Sequence, residues 1–143
     1  MPPPDVGPAF RAVVLSGAYE RVHHALVLAA TAAALGRPTA LFFTMSGCTT
    51  VTRDTDGTPG WHRLTPTPSH PSAAAEDAAL KARGVADLET LLTSVVALGG
   101  AVLVCEAGLP EGSWGGRASP ALKKTRKGWG GAASPDPSLR GAL

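Results

Sequence analysis

Two cysteines, Cys48 and Cys105, are the residues of this 143-residue chain whose type and placement suit nucleophilic chemistry. Cys105 ends the short apolar run Ala101-Val102-Leu103-Val104, which reads as a buried strand, and Glu106-Ala107-Gly108 follow at once. In an open α/β sheet, ligands bind and chemistry happens at the carboxyl ends of the strands. A thiol there is partly exposed and close to backbone amides, the setting that lowers its pKa from about 8.5 and makes it reactive. A helix beginning near Ala107 would favour the thiolate by roughly 0.3–1 kcal/mol, whereas the neighbouring Glu106 carboxylate would oppose it. The plainer alternative is a cysteine packed as a small hydrophobe. Cys48 follows a second apolar run, Thr39-Ala40-Leu41-Phe42-Phe43, again at a carboxyl end. It is a weaker catalytic candidate, able to face Cys105 as a resolving thiol, to pack, or to lie exposed in a loop.

Other polar residues are weaker signals. Ser16-Gly17, ahead of a helix start, offers backbone amides to an anion, but one glycine is far short of a dinucleotide-binding fingerprint. With Thr44 and Glu106 these residues would line a binding crevice beside Cys105. The histidines His23, His24, His62 and His70 match no zinc spacing, so no metal site and no cofactor are expected. Asp54 and Asp56 stand in a threonine-rich loop and read as solvated.

The elements that would position these groups follow from periodicity. Arg11-Ala12-Val13-Val14-Leu15 reads as a strand closed by Ser16-Gly17. From Tyr19 the period becomes helical, with Val22, Leu26, Ala29 and Ala33 on one face, and Gly36 then Pro38 as the stop. The run 39–43 is a second strand, continuously apolar as a buried parallel strand is. Residues 45–72, rich in Thr, Pro, Gly and Asp, read as a long mobile loop of the lid or binding kind, beside Cys105. Ala73 to Arg83 is a plausible helix. Asp87 then caps another, with Leu88, Leu91, Leu92, Val95 and Leu98 on its buried face. The order β-α-β-loop-α-α-β predicts an α/β fold: a small three-layer sandwich whose parallel sheet is covered on both faces.

Composition sets the outer limits. The length suits one domain, with a proline-rich arm over 1–9, the α/β domain over 10–109 and a tail over 110–143. Fifteen of the 34 tail residues are Gly, Pro or Ser, and disorder is expected there. The net charge of +2 is uneven: residues 1–107 carry seven Lys/Arg against nine Asp/Glu, residues 108–143 six against two. The acidic body offers nucleic acid nothing, and the cluster Lys123-Lys124-Thr125-Arg126-Lys127 reads as a solvated tail or a docking patch. The N-terminal residues lack a basic segment followed by an apolar run, no stretch is long enough to span a membrane, and two cysteines make no disulfide framework. A cytoplasmic protein is expected. Three strands of small residues leave two bare edges, so a homo-oligomer is expected too.

Several stretches together resemble the DsrE/DsrF-like sulfur-relay family. They are Val13-Val14-Leu15-Ser16-Gly17, Glu20-Arg21-Val22 with its alanine-rich helix, Leu35-Gly36-Arg37-Pro38 and Leu41-Phe42-Phe43-Thr44-Met45. Further along come Gly84-Val85-Ala86-Asp87-Leu88-Glu89-Thr90-Leu91-Leu92, Ala97-Leu98-Gly99 and Val104-Cys105-Glu106-Ala107-Gly108-Leu109. The resemblance covers residues 10–109 and rests on their order and spacing. It implies a small, usually oligomeric α/β sandwich in which a cysteine after the third strand carries sulfane sulfur as a persulfide. Cys105 stands at that position, and the implied partners are other sulfurtransferases or sulfur-relay proteins. Relatives continue with a helix and a further strand, whereas this chain turns Gly/Pro/Ser-rich, so its C-terminal part would be incomplete. Two other readings fit the same residues: a non-catalytic small-ligand or protein-binding module of this fold, and a truncated inactive member.

Overall fold

The computed structural model describes residues 7–54 and 56–105. Glu106, the tail over 110–143 with its basic cluster, and most of the N-terminal arm lie outside the described residues. Three strands, β1 (Phe10–Val14), β2 (Thr39–Phe43) and β3 (Ala101–Val104), form one parallel sheet in the order β1-β2-β3. The register aligns Val13, Phe42 and Leu103 in one row and Val14, Phe43 and Val104 in the next. The expected α/β class and parallel sheet are therefore present.

Helix α1 (Tyr19–Ala34) buries Val22, Leu26, Ala29 and Ala33, the stripe its period implies, together with Tyr19 and His23. Gly36, at φ +75°, takes the left-handed turn that releases the chain toward β2. Helix α2 (Ala73–Ala82) starts at Ser72, whose side chain accepts from the Ala75 amide. Helix α3 (Leu88–Ala97) starts at Asp87, which accepts from the Thr90 amide at 2.7 Å and is held from the other side by Lys81 Nζ at 2.9 Å. Leu88, Leu91, Leu92 and Val95 are buried as expected, but Leu98 is exposed because it lies past the last helical turn.

The described residues account for two layers of the expected sandwich. Both parallel connections step the same way across the sheet, and right-handed crossovers taken in one direction leave their helices on one face. Accordingly α1 and α3 pack against each other, and Tyr19, Val22, Leu26, Leu88, Leu92 and Val95 share one core with Val14, Leu41, Phe43 and Val102. On the opposite face Val13 is 61% exposed. Among the described residues there are two layers, not three, and one face of the sheet is uncovered.

The segment 45–72 also departs from expectation. Instead of a lid without secondary structure it is a packed strap carrying two 3₁₀ helices, Met45–Val51 and Gly60–Arg63. Cys48, Val51, Trp61 and Leu64 are buried, each large apolar side chain contributing about 1.5–3 kcal/mol on burial. Trp61 Nε1 donates to Glu89 on α3 at 3.0 Å, and Arg53 lies 3.8 Å from the same carboxylate. Farther along, Thr67 donates through its amide (2.8 Å) and hydroxyl (3.1 Å) to Glu76 on α2.

Candidate functional site

The parallel topology brings the carboxyl ends of all three strands to one edge, so Ser16-Gly17, Thr44 and Cys105 leave the sheet on the same side. Cys105 continues the β3 pairing for one residue, its amide donating to the Phe43 carbonyl at 2.8 Å. The neighbouring β2 end turns sharply. Met45, at φ +50°, takes a left-handed conformation that side chains disfavour, and the chain enters the first 3₁₀ helix directly. Gly47 then lies so close to β1 that a Cβ would meet the Val14 carbonyl oxygen, with the carbonyl carbon at 2.8 Å. Only glycine allows this approach.

This turn lays Cys48 over the end of β2 and β3. Its thiol donates weak hydrogen bonds to the carbonyls of Phe43 and Cys105, both at 3.5 Å. Cys48 is 1% exposed, while Cys105 is half-buried, and neither is in a disulfide. Burial pushes the Cys48 thiol up from its ordinary range, the negative charge of an ionised Cys105 adds to that, and the hydrogen bond to the Cys105 backbone partly offsets it. The two cysteines therefore differ: Cys48 is covered, with its thiol pushed toward the protonated form, and Cys105 is only half-buried.

Ser16 and Gly17 have structural duties. Ser16 Oγ accepts from the Ala18 amide at 3.1 Å. The Tyr19 amide donates to Thr65 O at 2.9 Å, and the Thr65 amide donates to Gly17 O at 2.8 Å. Of the amides at the start of α1, that of Ala18 is taken by Ser16 Oγ and that of Tyr19 by the strap. The Thr44 amide likewise donates to Val14 O, and a Cβ on Gly17 would stand 3.1 Å from Ser46 Cβ. The strap fills the ground between the strand ends, leaving Cys48 against Cys105 as the contact of chemical interest.

The histidines divide as adjacent helical positions must. His23 is buried, its Nε2 donating to Ala86 O at 2.8 Å, while His24 is exposed. Asp54 forms an exposed ion pair with Arg63, and Asp56 accepts from the Thr58 amide. A buried polar cluster escaped the sequence reading: the Tyr19 hydroxyl and the Leu88 amide (2.8 Å) both donate to Asp77 Oδ1, joining the three helices. The helical spacing of Tyr19 with Val22 and Leu26 was a signal that Tyr19 is buried, and a buried hydroxyl needs a partner.

No protein-family model matches the chain, and no curated protein matches it. No helix among the described residues is long and apolar enough to cross a membrane.

Proposed function

We propose that the protein is a cytoplasmic sulfur carrier similar to the DsrE/DsrF-like proteins, with Cys105 as the persulfide-bearing thiol. The observation that carries this reading is a half-buried cysteine at the carboxyl edge of a parallel sheet, in contact with a second, buried thiol. In the forward step the Cys105 thiolate attacks the outer sulfur of a donor persulfide. The donor's S–S bond breaks, its inner sulfur leaves as thiolate with the electron pair, and Cys105 keeps the sulfane sulfur. Passage onward repeats the step with an acceptor thiolate, so the natural partners are other sulfurtransferases or sulfur-relay proteins.

Intact-mass measurement after incubation with glutathione persulfide tests the assignment. The Cys48→Ser protein gains one sulfur atom, and the Cys105→Ser protein does not. Equal gain by both variants refutes the choice of Cys105.

The sheet face that no described helix covers supports a homo-oligomer as part of this reading, since Val13 and Leu15 are exposed beside Phe42 and Leu103. Sedimentation equilibrium checks it: the wild type is expected above monomer mass and Val13→Asp shifted toward monomer. A wild type that is monomeric at all concentrations rejects it. The same face favours the second reading, a protein-binding module, in which sulfur gain at Cys105 would be absent.

A further inference from the structure

Cys48 is buried, yet its sulfur touches the backbone of the one residue whose thiol is placed to carry sulfur. Its Sγ is 3.5 Å from Cys105 O. A carbonyl oxygen lies about 2.4 Å from its own Cα by standard backbone geometry, so the sulfur is within roughly 6 Å of the Cys105 Cα. Both residues are also pinned to one acceptor, Phe43 O, through the Cys105 amide at 2.8 Å and the Cys48 thiol at 3.5 Å. The left-handed Met45 and the close approach of Gly47 to Val14 set this placement.

We propose that Cys48 is the resolving thiol of the Cys105 site, closing on persulfidated Cys105 as a disulfide and expelling the carried sulfur as hydrosulfide. This rests on the sulfur-carrier reading. In the step, Cys48 sulfur attacks the inner sulfur, Cys105 Sγ. A Cys48–Cys105 bond forms, the bond from Cys105 Sγ to the sulfane sulfur breaks, and its electron pair leaves with the outer sulfur. The Cys48 proton goes to that leaving sulfur, giving HS⁻ from the persulfide anion. No external oxidant enters, because the sulfane sulfur is itself reduced to sulfide while the two cysteine sulfurs are oxidised. An external dithiol, oxidised to its own disulfide, restores both thiols.

The burial of Cys48 gives the step its timing. A thiol held protonated attacks slowly, its rate growing roughly tenfold per pH unit below its pKa. Cargo sulfur on Cys105 thus persists for a partner that arrives promptly and is discharged as hydrosulfide when none does.

Wild type, Cys48→Ala and Cys48→Ser are loaded with glutathione persulfide, freed of reagent, and followed by intact mass while released hydrosulfide is quantified. The wild type is expected to gain one sulfur, then convert to a species two hydrogens lighter than the starting protein, releasing one hydrosulfide per chain. Peptide mapping of that species finds Cys48 joined to Cys105. Both variants hold the added sulfur at least tenfold longer, and the wild-type decay quickens with rising pH. A wild type that keeps its sulfur as long as Cys48→Ala, or whose disulfides join separate chains, overturns the role of Cys48 while leaving Cys105 as carrier. If neither the wild type nor Cys48→Ala gains sulfur, the carrier reading itself fails, and this inference with it. Peptide mapping of the wild type decides the matter even where a variant does not fold.

Discussion

Tyr19→Phe removes one oxygen atom from the middle of the helical layer and exposes how much the buried polar cluster contributes. Tyr19 is fully buried, and its hydroxyl is one of two donors on Asp77 Oδ1. The ring stays and packs as before; the loss is one hydrogen bond to a carboxylate, about 1.5–3 kcal/mol. For about 100 ordered residues each kcal/mol moves the melting midpoint by roughly 4–8 °C, so a fall on the order of 10 °C is expected. Urea denaturation should show a lower midpoint with an unchanged slope. The alkaline side gives a sharper test. Burial first, then the bond to Asp77 and the charges of Asp77, Glu76 and Asp87, push the Tyr19 phenol far above its ordinary value of 10.0. Below about pH 10 both folded and unfolded chains keep the proton; above it only the folded chain does. Wild-type stability therefore falls by about 1.4 kcal/mol per pH unit from that group, and the gap between wild type and Tyr19→Phe narrows as pH rises past 10. Tyr19 is the only tyrosine in the sequence, so phenolate absorbance reports it alone. The absorbance is expected to appear together with loss of helical circular dichroism. A phenolate that titrates near pH 10 while the helices persist would refute the reasoning, as would a variant within about 0.5 kcal/mol of wild type.

Two further substitutions probe the strap and the helix start. Gly47→Ala drives a methyl group into the Val14 carbonyl, so a loss of about 1–3 kcal/mol is expected with faster alkylation of Cys48; unchanged stability and unchanged alkylation would mean the strap is not seated there. Asp87→Ala removes the cap of α3, costing about 1 kcal/mol. Hydrogen bonds from Thr90, then the one from Lys81, lower the Asp87 carboxyl to about 2, so its contribution is present above about pH 4 and is lost as pH falls through about 2. Thermal melts from pH 7 to 2 should show the two proteins converging, and a constant difference would exclude this carboxylate as the source.

Much of the fold was legible because its signals are local. Val22, Leu26, Ala29 and Ala33 recur at helical spacing, Gly36 and Pro38 stop the pattern, and Asp87 sits where a cap belongs. What escaped depends on pairing order. Nothing within 10–14 or 39–43 says that the three strands lie in sequence order across the sheet, and that order, through the common handedness of crossovers, puts the described helices on one face. The strap escaped for a different reason. Its apolar residues Val51, Trp61 and Leu64 are too sparse to form a period, and 3₁₀ turns of four to seven residues leave no face to detect. Burial there is specified one side chain at a time, by partners such as Glu89, 28 positions from Trp61 along the chain.

The site divides along the same line. The position of Cys105 was legible because a strand end is a local feature and the carboxyl edge of a parallel sheet is a fixed destination. Whether Cys48 packs, lies exposed or meets Cys105 turned on two backbone details: the left-handed Met45 and the space that Gly47 leaves beside Val14. Glycine is common in loops, and a positive φ at methionine has no residue-type signature. Together they convert two thiols 57 positions apart into neighbours with different accessibility. That difference bears on chemistry more than proximity alone. Two equally exposed thiols would close on each other as soon as either was oxidised, and sulfur on Cys105 would have no lifetime in which to be handed on. In the proposed role of Cys48, its cover slows the attack while the contact with the Cys105 backbone keeps it near.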